Sequence, residues 1–188
     1  MKVIAFNGSP RKDGNTAILI KHVFVELEKS GIETELVQLS EKEIRGCIAC
    51  FKCFENKDNS CAVKKDAANE YIEKMEKAQG IVFGSPVYFA DVTAEMKALI
   101  DRTGFVSRAN SGIYRNKVGA AVVAVRRAGA VHTLDTMSHF FTASEIIIAG
   151  LCIGVGVEKG DVERDPEGMQ SVKTVGQRMV WLLEKLHG

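Results

Sequence analysis

The sequence predicts an α/β fold, a doubly wound three-layer sandwich built on a five-stranded parallel sheet in the order 2-1-3-4-5. Three observations carry this prediction. Along 188 residues, short apolar runs alternate five times with stretches of helical periodicity, as consecutive βα units do. The run Val118–Val125 (VGAAVVAV) is apolar almost throughout, as a strand is when helices cover both faces of its sheet. Short connections and the right-handed crossover rule then leave few strand orders, of which 2-1-3-4-5 is the simplest.

Each element has its own warrant. Lys2–Phe6 (KVIAF) is a short first strand. Thr16–Lys29 is helical, because Ala17, Ile20, Phe24 and Leu27 step along one face. Ile32–Leu39 alternates as a second strand. Asp66–Ala78 is a helix with Ala68, Tyr71, Ile72 and Met75 on its inner stripe. Gly80–Gly84 (GIVFG) is a third strand and Thr93–Arg102 the helix after it. Val118–Val125 is the fourth strand. Val131, Leu134, Met137 and Phe141 mark a further helix, and Glu145–Ala149 the fifth strand. The last helix opens at Asp165-Pro166, a capping carboxylate followed by proline at the first helical position. Its apolar face runs through Met169, Val172, Met179, Val180, Leu183 and Leu186. Thr103–Lys117 reads as a long connection with little apolar periodicity, where two to six residues are usual. This length suggests a part in a subunit interface or a cover over a neighbour's ligand.

No linker, repeat or shift in composition divides the chain, so residues 1–188 are expected to form one domain with a cysteine-rich loop at about 46–62. At 46% hydrophobic residues there is enough apolar chain for a sizeable core. Lys and Arg number 25 against 24 Asp and Glu, a net charge of +1. No nucleic-acid surface is expected from that balance. No apolar stretch reaches the roughly 18 residues of a membrane helix, and Met1-Lys2-Val3 begins no signal-peptide pattern. A cytoplasmic protein is the expectation.

Cys47, Cys50, Cys53 and Cys61 form the run C-x2-C-x2-C-x7-C. Two x2 gaps bring three thiolates onto one tight stretch of backbone, and the polar Phe54–Ser60 stretch lets the fourth return to complete a four-sulfur cage. Iron–sulfur clusters are held by thiolates at such spacings. No second set of ligands is present, so a single cluster would take all four. A structural zinc site usually presents two separated C-x2-C pairs, which this run suits less well. Free or redox-active thiols remain a third reading. Cys152 follows an apolar run and reads as a buried filler.

In a doubly wound sheet ligands bind beyond the carboxyl ends of the strands, near the switch between strands one and three. Three loops matter there. The first, Asn7–Thr16 (NGSPRKDGNT), leads into a helix whose free N–H groups and positive end suit a phosphate. Ser9, Arg11, Gly14, Asn15 and Thr16 are its candidate ligands. The Lys of a P-loop is missing, as is G-x-G-x-x-G, so a terminal monophosphate fits better than a polyphosphate or pyrophosphate. An ordinary capped turn is the plainer alternative. The second loop holds Pro86, Val87, Tyr88 and Phe89, an apolar wall suited to a flat ring, unless Tyr88 and Phe89 merely pack under the next helix. The third, Arg126-Arg127-Ala128-Gly129, offers guanidinium and backbone donors to a ring's carbonyl edge, although a basic pair after a strand is usually just solvated.

Monophosphate seat, ring wall and polar clamp together describe FMN. Gly8-Ser-Pro-Arg11-x-x-Gly14-Asn-Thr16 with Ser85-Pro-Val-Tyr88-Phe89 closely resembles the NADPH-dependent FMN reductase-like branch of the flavodoxin superfamily. The compact cysteine run narrows the resemblance to iron–sulfur flavoproteins, over nearly the whole chain. It implies a flavodoxin-like fold, with Ser9, Arg11, Asn15 and Thr16 on the FMN phosphate. Pro86–Phe89 and Arg126–Gly129 would line the isoalloxazine, and Cys47, Cys50, Cys53 and Cys61 would carry a [4Fe–4S] cluster. It also implies a homodimer or homotetramer in which the cluster faces a neighbour's flavin, and a redox partner such as ferredoxin or NAD(P)H.

The expected activity is therefore that of an FMN-dependent electron-transfer oxidoreductase, in which the cofactors carry the chemistry. An NAD(P)H-dependent FMN or quinone reductase without a cluster is the alternative. A flavodoxin-like carrier is disfavoured, because docking on basic partners calls for a strongly acidic chain. His22, His132, His139 and His187 all fall on predicted helices without an evident acidic partner, so no residue is singled out as catalytic.

Overall fold

A computed structural model describes residues 1–188. Five parallel strands form one sheet in the order β2-β1-β3-β4-β5. They are β1 (Lys2–Asn7), β2 (Glu33–Gln38), β3 (Gly80–Pro86), β4 (Val118–Val125) and β5 (Ile147–Val155). The helices are α1 (Asn15–Lys29), α2 (Lys52–Asn56), α3 (Ala68–Lys77), α4 (Ala94–Ala109), α5 (Ala130–Ala143) and α6 (Pro166–His187). The flavodoxin-like order expected from the sequence is the order observed.

Two apolar cores lie on opposite faces of the sheet. On one side Leu19, Ile20 and Val23 of α1 and Val172, Val175 and Met179 of α6 meet Val3, Ala5, Val82 and Val122. On the other, Tyr71 and Met75 of α3, Met96 and Leu99 of α4, and Met137 and Phe141 of α5 meet Ile4, Phe6, Phe83 and Val123. Successive strand residues point to opposite faces. Val118, Ala120, Val122 and Ala124 therefore enter one core, and Ala121, Val123 and Val125 the other. This double burial is why β4 has no polar alternation.

Two boundaries differ most from expectation, and the short helix α2 (Lys52–Asn56) enters the stretch expected to be loop. Helix α4 does not stop at Arg102 but runs to Ala109, leaving only residues 110–117 as the connection. Its inward face there mixes the buried polar Arg102, Thr103 and Ser107 with the buried Val106 and Ala109, so the apolar stripe is interrupted where the helix packs. Gly104 looks like a breaker but faces the Phe140 ring, 3.6 Å from where a Cβ would stand. Strand β5 continues six residues past Ala149 to Val155. Gly150 and Gly154 break its pattern because a Cβ there would lie 2.8 Å from Val175 Cγ2 and from Leu19 Cδ2, respectively. They let α6 and α1 approach the sheet.

The last helix begins as expected. Asp165 accepts from Gly168 N at 3.0 Å, and Pro166 occupies its first position. Leu186, expected on the apolar face, is exposed. No helix is long and apolar enough to cross a membrane.

Candidate functional site

The carboxyl ends of β1, β3, β4 and β5 open into one cleft. Ser9, Arg11, Gly14, Asn15, Thr16, Pro86, Val87, Tyr88 and Arg126 line it together with Ala124, Gly156 and Val157. Its volume of about 220 Å³ adjoins a second space of about 260 Å³ bordered by Val87, Arg126, Arg127 and Ala128. The two share Val87 and Arg126, and small-molecule sites occupy comparable volumes. Nine of the twelve sequence candidates thus meet in the cleft itself and Arg127 at its extension.

The first loop is shaped by buried polar groups. Asn7 Nδ2 donates to Gln38 Oε1 at 2.7 Å, and Asn7 Oδ1 accepts from Ser9 N at 3.0 Å. Gln38 Nε2 donates to Ser9 O at 2.5 Å, and Ser9 Oγ accepts from Arg11 N at 3.1 Å. No side chain caps α1 and no acidic residue sits in its first turn. The first N–H groups of that helix therefore remain as donors at the cleft, with the positive end of the helix behind them.

Asn15 departs from its expected role. Its Nδ2 donates to Glu158 O and its Oδ1 accepts from Gly160 N, both at 2.9 Å. The side chain ties α1 to the loop after β5, which leaves one Nδ2 hydrogen and the backbone N–H for an anion. Gly156 and Val157 in that loop line the cleft and escaped the sequence reading, which ended the strand at Ala149. The glycine-bearing apolar run Ile146–Val157 was the available signal. Asp161 braces the same loop by accepting from Val157 N at 3.0 Å and Glu158 N at 2.7 Å. These backbone bonds hold its carboxyl below the usual range despite opposing desolvation.

Phe89 stands outside the cleft. Tyr88 and Asp91 close a tight turn through Tyr88 N to Asp91 O at 2.8 Å and Asp91 N to Tyr88 O at 3.1 Å. Phe89 and Ala90 at its tip take φ of 49° and 71°, a conformation that Asn-Gly ordinarily supplies. The Phe89 side chain is fully exposed. Gly129 is not a lining residue either. At φ 91° it holds two loops together, and a Cβ there would stand 2.8 Å from Val87 Cγ1 and 2.9 Å from Ala90 Cα. His132 and His22 do have acidic neighbours, Asp91 at 3.5 Å and Glu163 at 3.9 Å.

The four clustered cysteines line a second cavity with Phe105, Val106 and Arg102 of α4. Ala49, Phe51, Lys57 and Asn59 in this segment all have positive φ, between 51° and 55°. Such backbone is costly for residues with a Cβ and persists where the surroundings enforce it. Asn69 fixes the segment's end, accepting from Cys61 N at 2.7 Å and donating to Cys61 O at 3.0 Å. Arg102 Nε donates to Cys61 Sγ at 3.2 Å. Burial pushes the Cys53 thiol up, and the nearby Cys61 and Cys47 sulfurs add to that. No three His, Cys, Asp or Glu side chains stand close enough to grip one metal ion. Cys152 is buried on β5, and burial raises its thiol to about 12.

Comparison with known proteins bears on both sites. Residues 1–156 match the family described as NADPH-dependent FMN reductase. An iron–sulfur flavoprotein of Methanocaldococcus jannaschii is 36% identical over 95% of both chains. The chain belongs to the iron–sulfur flavoprotein family. Another member, from Methanosarcina thermophila, is 33% identical over 98% of this chain and 96% of its own. The crystal structure of RosB with a bound 8-demethyl-8-formylriboflavin phosphate superposes with a TM-score of 0.77, covering 99% of this chain and 80% of that one at 17% identity. That likeness is one of fold. Family membership makes this chain a flavin-dependent oxidoreductase.

Proposed function

We propose that the protein is an FMN-dependent electron-transfer oxidoreductase that carries a [4Fe–4S] cluster on Cys47, Cys50, Cys53 and Cys61. The observation that carries this reading is the pairing of two built sites, one for a phosphate and flat ring, the other lined by four thiols. FMN accepts one or two electrons and a cluster passes one at a time, so together they couple single-electron and two-electron chemistry.

The chain's own residues supply position. The uncapped start of α1, with Ser9, Arg11, Gly14 and the backbone of Asn15 and Thr16, offers convergent donors to the phosphate. Pro86, Val87 and Tyr88 offer a wall to the ring, with Arg126 and Arg127 at its polar edge. Four thiols line a common cavity, and their compact C-x2-C-x2-C start suits a cluster better than the two separated pairs usual for zinc. The N–H groups of Ala49 and Arg102 already reach Cys47 Sγ at 3.4 Å and Cys61 Sγ at 3.2 Å.

The separation of the sites supports an oligomeric assembly. No residue lines both the cleft and the cysteine cavity, and each mouth exposes apolar side chains. Ile48 and Phe51 flank the cysteines, and Tyr88, Phe89 and Val157 flank the cleft. A homodimer or homotetramer that sets one protomer's cysteines against another's flavin covers both. NAD(P)H or a ferredoxin-like protein is the expected redox partner, in the cytoplasm.

The test is anaerobic purification followed by an absorption spectrum and assays of FMN, iron, sulfide and zinc. About four iron and four sulfide per chain, the cubane stoichiometry, are expected beside one FMN. FMN with zinc, or with neither metal nor sulfide, moves the reading to a cluster-free NAD(P)H-dependent FMN or quinone reductase.

A further inference from the structure

Arg102 on α4 is the largest fully buried side chain of the chain, and the functions proposed above make no use of its charge. Five N–H groups leave a guanidinium in a fixed fork, and all five find acceptors. Nε donates to Cys61 Sγ at 3.2 Å. Nη1 donates to Arg45 O at 3.0 Å and Asp66 Oδ2 at 2.8 Å. Nη2 donates to Val63 O at 3.2 Å and Asp66 Oδ1 at 3.3 Å. Arg45 lies two residues before Cys47, and Val63 lies two residues after Cys61. One side chain therefore ties together both ends of the cysteine segment and hangs them on a helix of the sheet's covering layer.

Asp66 completes the arrangement. It also accepts from Arg45 N at 3.1 Å and Ala68 N at 3.2 Å. Both side chains of the pair are only 2% exposed. Removing two charges from water is expensive, and apolar residues of similar volume commonly fill such a space at no loss of stability. Stability alone is thus a weak reason for an ion pair here. The position of the fork gives a better one, since Arg102 is the only charged residue of Lys, Arg, Asp or Glu type that lines the cysteine cavity. Because Asp66 balances its charge, Arg102 acts on the sulfur mainly through one directed N–H.

We infer that Arg102, held by Asp66, is the positioning residue of the cysteine site. It sets the direction of Cys61 Sγ and, through the N–H···S bond, raises the reduction potential of the cluster bound there. The inference rests on the cluster reading proposed above. Hydrogen bonds to ligand sulfurs stabilise the more negative, reduced cluster and are among the terms that set its potential. Lysine cannot take the place of arginine, because an ammonium lacks the planar fork that serves Asp66, two carbonyls and the sulfur together.

Two substitutions separate this role from a merely structural one. Arg102→Lys is expected to bind FMN as the wild type does, retain less iron, and shift the midpoint potential of the retained cluster downward in an EPR-monitored redox titration. Asp66→Asn keeps an oxygen acceptor but removes a negative charge beside the cluster, so its potential is expected to move upward. General loosening of the loop would move both the same way. Shifts of the same sign, or wild-type iron and potential in Arg102→Lys, overturn the inference. Hydrogen exchange on the full chain stripped of iron supplies a cluster-independent readout, with faster exchange of residues 46–63 expected in Arg102→Lys. A wild-type chain that takes up no iron overturns the cluster reading and the potential with it. Exchange in the stripped chain then supports or overturns the positioning of Cys61 by itself.

Discussion

Arg11 and Asn15 lie in the same loop and line the same cleft, yet they should affect flavin binding differently. Arg11 is exposed at the start of the proposed phosphate seat. A hydrogen bond to a charged group contributes about 1.5–3 kcal/mol, and solvent screening at an exposed side chain favours the lower end. Arg11→Ala should therefore weaken FMN by about 1.5 kcal/mol, roughly tenfold in Kd. Riboflavin lacks the phosphate, and its affinity should not change. Asn15 contributes instead through two 2.9 Å bonds to Glu158 and Gly160, neutral bonds of about 1 kcal/mol each. Asn15→Ala releases the loop that carries Gly156 and Val157, so FMN and riboflavin should weaken together, by roughly thirtyfold at most. Quenching of flavin fluorescence on titration into the flavin-free protein measures all four affinities. Equal loss of both ligands in Arg11→Ala, or a loss confined to FMN in Asn15→Ala, would refute this division of labour.

The remaining predictions concern other parts of the chain. Cys50→Ala should lose iron and keep yellow FMN, whereas Cys152→Ala, at a buried position on β5, should keep both; iron and flavin assays decide. Light scattering should find an oligomer at micromolar concentration, and Phe89→Ser, which removes a fully exposed ring at the turn tip, should shift it toward monomer. Gly129→Ala forces a Cβ to within 2.9 Å of Ala90 Cα at φ 91°, and should cost about 1–3 kcal/mol in urea denaturation. Asp165 is held below the usual carboxylate range by N–H bonds from Gly168 and Val155, against opposing desolvation. Its stabilisation is complete above the unfolded value of about 3.9 and fades as pH falls through the lower folded value. Asp165→Ala should thus cost about 1 kcal/mol of stability at pH 7, with a gap from the wild type that narrows as the solution is acidified through that range.

Some features of this protein follow from its residues in order along the chain. The unbroken apolar run of β4 follows from helices on both faces, and the Asp165-Pro166 start of α6 follows from local capping chemistry. The missing P-loop lysine and the C-x2-C-x2-C-x7-C spacing are likewise local facts, and they underlie the expectations of a monophosphate rather than a polyphosphate ligand and of a four-thiolate site. Other features depend on what a side chain meets. Helix α4 hides its true length because its buried face carries Thr103 and Ser107 together with Arg102, whose partners come from distant segments. Strand β5 hides its end because Gly150 and Gly154 serve the packing of α6 and α1, not the strand pattern. Asn15 resembles a phosphate donor in sequence, but the fold brings Glu158 and Gly160 within reach, and its amide also bonds there. Arg102 gives no sign in sequence of its link to Cys61, 41 residues away. Periodicity and capping are set by near neighbours in sequence, so they can be read from it directly. The satisfaction of a buried polar group depends on which segments the chain fold brings together, and only the tertiary structure decides that.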